Sequence, residues 1–156
     1  MACAAAAASG TQTPSADLFV RRGLARRESG RLDDALADYD LALGLDERSV
    51  AARIARGNIF RGRKLFREAV ADYDAAIAGD PLSALAYLQR GLSRSDLGER
   101  NLAVADYDRS AALDPVDPTV FQNRGSLHLR SGDLAAAEGD YSRALELDPS
   151  TLTVLN

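Results

Sequence analysis

The chain has 156 residues, of which 46% are hydrophobic and 27% charged, and its net charge is −4. It contains 29 alanines and 22 leucines, both good helix formers, so we expect an all-α protein. The negative net charge argues against nucleic-acid binding, because the chain has no excess of basic residues to neutralise phosphates. With one cysteine, Cys3, and one histidine, His128, neither a disulfide framework nor a Cys/His zinc site can form. We therefore expect no catalytic site, no metal and no cofactor.

The first segment, residues 1–14, is rich in alanine and contains no basic residue. A secretory signal would need a positively charged start and a longer apolar stretch, so we expect a low-complexity, disordered tail. No apolar run in the chain approaches the roughly 20 residues that a membrane-spanning helix needs. We expect no membrane insertion, and the single cysteine favours an intracellular, cytoplasmic protein.

From residue 16 onwards the sequence repeats itself at a constant interval. An Arg-Gly pair recurs four times, beginning at Arg22, Arg56, Arg90 and Arg124. The string Ala-x-x-Asp-Tyr follows each pair, beginning at Ala35, Ala69, Ala103 and Ala137. Four units in register predict a repeat domain over 15–151, followed by a stub at 152–156, with the repeats at 16–49, 50–83, 84–117 and 118–151.

Each unit is predicted to form two helices joined by a turn. The first helix has apolar residues at helical spacing and ends near Gly30, Gly98 or Gly132, since glycine suits a helix C-cap. The second helix ends at an Asp-Pro pair in three of the units, because proline cannot continue a helix. Ser83 and Asp117 are the predicted N-caps of the third and fourth units.

The glycine of each Arg-Gly pair lies inside the first helix, where it costs about 1 kcal/mol relative to alanine. We expect a close crossing of the two helices to compensate, with each glycine facing the alanine of the Ala-x-x-Asp-Tyr string. The tyrosines of these strings are then expected to fill the space between adjacent units, at Tyr39, Tyr73, Tyr107 and Tyr141.

These features resemble the tetratricopeptide repeat (TPR) family over about 136 of the 156 residues. In the last unit the family pattern matches at Phe121, Gly125, Ala137, Tyr141, Ala144 and Pro149. The resemblance implies an all-α, right-handed superhelical solenoid of helix-turn-helix repeats. Arg53 replaces the early aromatic residue in unit two, Glu47 replaces the proline in unit one, and Arg100 replaces an apolar residue in unit three. We expect looser packing at these positions.

An arginine and an aspartate recur together in every unit, always at the same separation along the chain. The pairs are Arg22 with Asp38, Arg56 with Asp72, Arg90 with Asp106, and Arg124 with Asp140. Both positions can face each other in an antiparallel helix pair, so we expect partly buried, bidentate ion pairs. A ligand-binding role is the alternative, but a packing device repeats in every unit more readily than a ligand site does.

The resemblance also implies a non-catalytic adaptor or scaffold that binds a protein or peptide on the inner face formed by the first helices. By register, the candidate groove residues are Val20, Leu24, Arg27, Ile54, Asn58, Arg61, Leu85, Leu88, Gln89, Leu92, Gln122, Asn123, Ser126 and Arg130. A stripe that is apolar in its middle and amide-rich at one end suits an extended peptide or an amphipathic helix. Alternatively, its apolar members pack the first helices together, at Val20, Ile54, Leu88 and Leu92.

Chaperone-binding members of the TPR family hold a C-terminal carboxylate with Lys, Asn and Arg side chains on three inner helices. In one register the matching positions hold Val20, Leu24, Ala55, Leu85 and Gln89. In the other register they hold Ile54, Asn58, Gln89, Thr119 and Asn123. Only Asn58 matches, so we expect no recognition of an Hsp70 or Hsp90 tail by this mechanism.

Two short segments are locally basic, Arg26-Arg27 and Arg61–Lys64. They are interpreted either as solvated helix ends or as contacts for an acidic partner segment. His128 is expected to be a packed or half-exposed histidine, with a pH-dependent role as the alternative.

Besides the adaptor, two other functions remain open. One is a structural or assembly unit that self-associates through its repeat ends. Its C-terminal face is expected to present Ala136, Tyr141 and part of Leu145, because a repeat stack needs a polar cap at each end. The other is an accessory TPR region of a larger protein.

Overall fold

The computed structural model describes residues 14–149, and within that range the chain forms eight α-helices and no strand. The expectations for Cys3, for the tail before Pro14 and for the stub at 152–156 lie outside the described residues. The first helices of the four units begin at Ala16, Val50, Ala84 and Pro118, in step with the sequence repeat. The helices are α1 (Ala16–Glu28), α2 (Leu32–Leu45), α3 (Val50–Gly62), α4 (Phe66–Gly79), α5 (Ala84–Asp96), α6 (Arg100–Leu113), α7 (Pro118–Ser131) and α8 (Leu134–Leu147).

The first helix of each unit begins at a side-chain cap. The predicted caps Ser83 and Asp117 accept hydrogen bonds from the backbone N–H groups of Ala86 and Thr119, and serines at 15 and 49 do the same in units one and two. In every unit, one residue of the turn after the first helix has the left-handed backbone conformation, with a positive φ angle. Gly30, Gly98 and Gly132 have φ angles of 77°, 79° and 81°, and Lys64 takes this place in unit two with φ 62°.

The stack bends with the first helices on its inner side. Each helix contacts its neighbour in the chain, and each first helix also contacts the next first helix, α1 with α3, α3 with α5 and α5 with α7. No such contact joins the second helices of neighbouring units within residues 14–149. The first helices therefore line the concave face and the second helices the convex face, which confirms the all-α solenoid expected from the sequence.

None of the described helices is long and apolar enough to cross a membrane.

In units one to three, the atoms nearest to the mid-helix glycines belong to the tyrosine ring of the same unit. A Cβ atom built on Gly57 would lie 2.8 Å from Cε1 of Tyr73, in the second helix of the same unit. The rings of Tyr39, Tyr73 and Tyr107 are at most 1% exposed. Each ring thus fills space inside its own unit, and Tyr39 also packs with Ala55 of the next unit. The alanines of the Ala-x-x-Asp-Tyr strings are buried as well, at most 3% exposed, and their close crossing with the glycines stays a prediction.

Arg100 does not loosen unit three. The equivalent leucines of units one and four, Leu32 and Leu134, are themselves 37% and 64% exposed, and Arg100 is exposed as well. The position lies at the start of the second helix on the surface, so a charged side chain there removes no buried contact.

Candidate partner-binding groove

The structure brings together the arginine and the aspartate of every unit, across the two helices. Nη2 of the arginine lies 2.6 or 2.7 Å from Oδ1 of the aspartate, and Nε donates a second bond of 2.8 to 3.0 Å to Oδ2. The four aspartates are at most 7% exposed. In unit one the hydrogen bonds from Arg22 lower the pKa of Asp38 below its ordinary value, so this carboxylate stays charged although it is buried. These residues face each other, and each aspartate occupies the Nε/Nη2 edge of its arginine.

The arginines also connect neighbouring units, through aspartates that sequence reasoning missed. Nη1 of Arg56, Arg90 and Arg124 lies 2.6 Å from Oδ1 of an aspartate in the preceding unit, at Asp40, Asp74 and Asp108 respectively. A signal was available, because this second aspartate of the Asp-Tyr-Asp string recurs with the repeat in units one to three. Unit four has Ser142 there.

A second cation and an aromatic ring complete each pair, as unit three illustrates. Arg94 Nη1 lies 2.8 Å from Asp106 Oδ2, and the guanidinium of Arg90 lies 5.4 Å from the centre of the Tyr87 ring. An arginine over an aromatic face gains a cation–π attraction. In unit one, Phe19 and Arg26 occupy the positions equivalent to Tyr87 and Arg94.

Unit two exchanges these two residues. Arg53 stands where the other units have an aromatic ring, and Phe60, two turns later on the same helix, stands where units one and three have the second arginine. Both contacts persist, because Arg53 Nη1 lies 3.1 Å from Asp72 and the Phe60 ring centre lies 5.7 Å from the guanidinium of Arg56. Looser packing was expected at Arg53, whereas the structure shows a compensated exchange.

His128 takes the position of the second cation in unit four. Its Nε2 atom lies 3.9 Å from Oδ2 of Asp140, and its side chain is half-buried. This is longer than the 2.7 and 2.8 Å of Arg26 and Arg94 to their aspartates. Arg124 remains the close partner of Asp140.

Two of the predicted groove residues belong to the core. Val20 and Leu88 are each 5% exposed and pack among residues of the second helix and of the next unit, which excludes them from a binding surface. Leu24 and Leu92 are half-buried against the same clusters, so they present only part of their surface. The interpretation that apolar residues pack the first helices together therefore holds for Val20 and Leu88.

The remaining candidates are accessible to different degrees. Leu85 is 51% exposed, and Ser126 and Arg130 are exposed. Seven others are half-buried, namely Arg27, Ile54, Asn58, Arg61, Gln89, Gln122 and Asn123.

Two clefts of about 400 Å³ each lie along the first helices. The N-terminal cleft is lined by Arg27, Asn58, Ile59, Arg61, Arg63 and Gln89. The C-terminal cleft is lined by Leu92, Tyr107, Asn123, Ser126, Leu129 and Arg130. Helix α5 contributes to both clefts, through Gln89 to the N-terminal one and through Leu92, about one helical turn later, to the C-terminal one, and the two clefts together are called the groove.

Several polar groups in the groove are already held by neighbours. The Tyr73 hydroxyl donates a hydrogen bond of 2.8 Å to Oδ1 of Asn58 in the N-terminal cleft. In the C-terminal cleft, Arg130 Nη2 donates one of 2.8 Å to the Ser95 hydroxyl. These bonds orient the Asn58 amide and the Arg130 guanidinium before any partner is present.

The C-terminal face of unit four differs from the other units. Tyr141 is half-buried, in contrast to the three buried tyrosines before it, and Leu145 is 38% exposed. Ala136 is half-buried too. By helical spacing, Leu134 lies on the same face as Tyr141 and Leu145.

Comparison with solved structures finds the same architecture. A crystal structure of MamA has a TM-score of 0.81 at 22% identity, covering 88% of this chain and 81% of that one. MamA 41-end from Desulfovibrio magneticus RS-1 has a TM-score of 0.79 at 22% identity, covering 87% and 77%. The first TPR of Spaghetti (RPAP3), bound to the HSP90 peptide SRMEEVD, has a TM-score of 0.73 at 22% identity, covering 79% and 99%. At 22% identity, these similarities show a shared fold and nothing more specific.

A search of curated proteins finds no match. The family model described as tetratricopeptide repeat matches residues 20–84 and 88–150, most of the chain. Proteins of this fold generally serve protein interaction. The constant repeat period, the eight paired helices and this match together show that the chain belongs to the tetratricopeptide repeat family.

Proposed function

We propose that the protein is a non-catalytic adaptor that binds a segment of a partner protein along the concave groove. The observation that carries this proposal is the pair of clefts to which α5 contributes, which combine partly exposed apolar side chains with amides and arginines. A groove of this composition suits an extended or helical segment, because apolar contacts supply affinity and a few polar groups set its position.

The segment is expected to bind through its interior and not through its terminal carboxylate. The positions that match the chaperone clamp carry one matching side chain, Asn58, and its Oδ1 atom accepts a hydrogen bond from Tyr73. Apolar contacts come from Leu85, Leu92 and Leu129, which are at least partly accessible. We therefore expect chaperone C-terminal peptides to bind weakly, with no change when the peptide terminus is amidated.

Selection from a phage-displayed library of random peptides tests the proposal. Ser126→Arg places a long charged side chain in the C-terminal cleft, and Ser142→Arg makes the same change on the exposed surface of α8. Peptides synthesised from the selected sequences should bind the parent and the Ser142→Arg variant equally, and the Ser126→Arg variant at least tenfold more weakly. Failure to select any peptide, or equal binding to all three proteins, would refute the proposal.

A structural or assembly role is the second candidate. It is favoured by the half-buried Tyr141 and the 38% exposed Leu145 at the end of the stack, where interior units bury the equivalent tyrosine. An accessory role within a larger protein would use the same two surfaces, the groove and the C-terminal face of unit four. Mass measurement in solution distinguishes the first two functions, since a monomer that binds a peptide supports the adaptor and a concentration-dependent dimer supports assembly.

A further inference from the structure

The N-terminal cleft is strongly basic although the protein is acidic. Arg27 from α1, Arg61 from α3 and Arg63 just after α3 line this cleft, and no acidic residue is among its lining residues. The chain as a whole has a net charge of −4. The concentration of three guanidinium groups in one cleft therefore results from the fold, which brings the ends of two first helices together.

The polar atoms of this cleft are not all satisfied. Arg61 Nε and Gln89 Oε1 are buried and make no hydrogen bond within the described chain. Arg61 also makes no ion pair with residues 14–149, and its side chain interacts with the Tyr73 hydroxyl instead. A buried polar atom without a partner costs free energy, and a ligand that supplies the partner recovers it.

The two flanking arginines have only exchangeable partners. Arg27 Nη2 lies 2.6 Å from Glu28, whose side chain is 72% exposed, and Arg63 Nη2 lies 2.7 Å from Asp33, whose side chain is 90% exposed. Exposed ion pairs contribute little to stability, because water and salt screen them. Both arginines can therefore turn to a ligand carboxylate at small cost.

We propose that the N-terminal cleft binds the side-chain carboxylate of an aspartate or glutamate inside the partner segment. This inference rests on the proposed function, because it names the chemistry of one contact in the same groove. Arg61 makes the central contact, since its planar guanidinium can hold a carboxylate with two parallel hydrogen bonds, and Arg27 and Arg63 flank it. These three arginines stand outside the positions of the chaperone clamp. An apolar side chain of the segment then lies against Leu92 and Leu129 in the C-terminal cleft.

The surroundings favour a protein segment over a nucleic acid. A nucleic-acid backbone carries a charge at every step and needs a continuous track of cations. Here three arginines and no acidic residue line the N-terminal cleft, whereas the single arginine of the C-terminal cleft, Arg130, is accompanied by Asp96. A single acidic side chain needs only the N-terminal cleft, whereas a chain of phosphates that ran along both clefts would meet Asp96.

The test uses peptides selected on the parent protein from the phage library, synthesised with an acetylated N-terminus and an amidated C-terminus. We expect a recurrent Asp or Glu in them. Changing it to Asn or Gln, or introducing Arg61→Gln into the protein, should each weaken binding by roughly tenfold. The two changes combined should weaken it no further, because they remove the same contact. Binding should also weaken with added salt.

Arg67→Gln is the matched control, since it removes the same charge from an exposed position on α4 and should leave the affinity unchanged. Arg63→Gln, on an exposed residue, provides a second cleft variant if Arg61→Gln does not fold, which circular dichroism will show. It should reduce the affinity about threefold.

The outcomes separate this inference from the proposed function. Peptides that lose affinity for Ser126→Arg but are indifferent to both cleft variants would overturn the carboxylate site and leave the adaptor standing. Absence of any groove-dependent peptide would overturn both. A twelve-residue oligothymidylate that binds the parent and loses affinity on Arg61→Gln would overturn the assignment to a protein segment.

Discussion

Arg56 and Asp40 belong to different repeats, yet Nη1 of Arg56 lies 2.6 Å from Oδ1 of Asp40. The same guanidinium holds Asp72 of its own repeat through Nε and Nη2. One side chain thus fastens the two helices of its unit to each other and to the preceding unit. The arrangement recurs at Arg90 and Arg124, so an arginine connects each of units two, three and four to the unit before it.

The two contacts of Arg56 are expected to differ in strength. Asp72 is 3% exposed, so Arg56→Ala should lower the free energy of unfolding by about 3 kcal/mol, the lower end for a buried pair because Arg53 remains beside Asp72. Asp72→Ala removes the carboxylate from both arginines and should cost about 3–5 kcal/mol. Asp40→Ala should cost about 0–1 kcal/mol, because the Asp40 side chain is 61% exposed. Urea unfolding of the single variants and of the Arg56→Ala/Asp72→Ala double variant measures the coupling. Strictly additive losses would contradict the pairing.

The exchange in unit two predicts that two damaging substitutions repair each other. Arg53→Phe leaves Asp72 with one cation, and Phe60→Arg removes the ring beside Arg56, so each alone should cost about 1 kcal/mol. The double variant recreates the order that unit three has at Tyr87 and Arg94. Its midpoint in thermal or urea unfolding should return close to that of the parent. A double variant less stable than either single one would show that the two positions are not interchangeable.

The glycines are expected to respond to alanine with opposite signs. Gly57→Ala would place a Cβ atom 2.8 Å from the buried Tyr73 ring, and such overpacking should cost about 1–3 kcal/mol. Gly139 lies inside α8 with no atom within 4 Å of its would-be Cβ. Gly139→Ala should therefore raise the free energy of unfolding by about 0.5–1 kcal/mol, because alanine loses less backbone freedom on folding. Equal effects of the two substitutions in urea titrations would refute the packing argument.

The buried tyrosines predict alkaline unfolding. Burial raises the pKa of Tyr73 and of Tyr107 to about 12, from an ordinary value of 10.0. Their stabilising contribution is complete below about pH 10 and is lost as the pH rises towards 12, because the unfolded chain releases the protons first. The free energy of unfolding should fall by up to about 1.4 kcal/mol per pH unit for each tyrosine. Tyr107→Phe should flatten this dependence, as urea unfolding at several alkaline pH values will measure. An unchanged slope would contradict the assignment.

The C-terminal face of α8 is expected to self-associate at high concentration. Leu134 and Leu145 are 64% and 38% exposed on one side of this helix, next to the half-buried Tyr141. Contiguous apolar patches on monomers often mark contact sites. Ser142 offers no carboxylate to the Arg22 of a second copy, so the contact lacks the ion pair of the interior repeats and should be weak.

Sedimentation over a range of concentrations checks this prediction. Leu145→Glu should abolish a concentration-dependent dimer, whereas Leu41→Glu, at a 50% exposed leucine on α2, should leave it unchanged. A parent that remains monomeric at the highest attainable concentration would refute it.

The constant period of the sequence by itself determines most of the fold. Four Arg-Gly pairs in register predicted eight helices, and the capping residues Ser83 and Asp117 predicted where two of them begin. The fixed separation of arginine and aspartate within each unit also predicted which residues face each other. These features are visible in the sequence because they arise from local backbone preferences and from a contact that every unit repeats.

The groove depended on tertiary structure. Val20 and Leu88 match the apolar stripe as well as Leu85 does, but only packing between units decides that the first two are buried and the third is 51% exposed. The same applies to the basic cleft, because Arg27 and Arg61 stand one full repeat apart and meet only where α1 contacts α3. Helical periodicity specifies the side of one helix on which a residue lies. The curvature of the stack, set by how neighbouring units pack, decides how much of that side remains open.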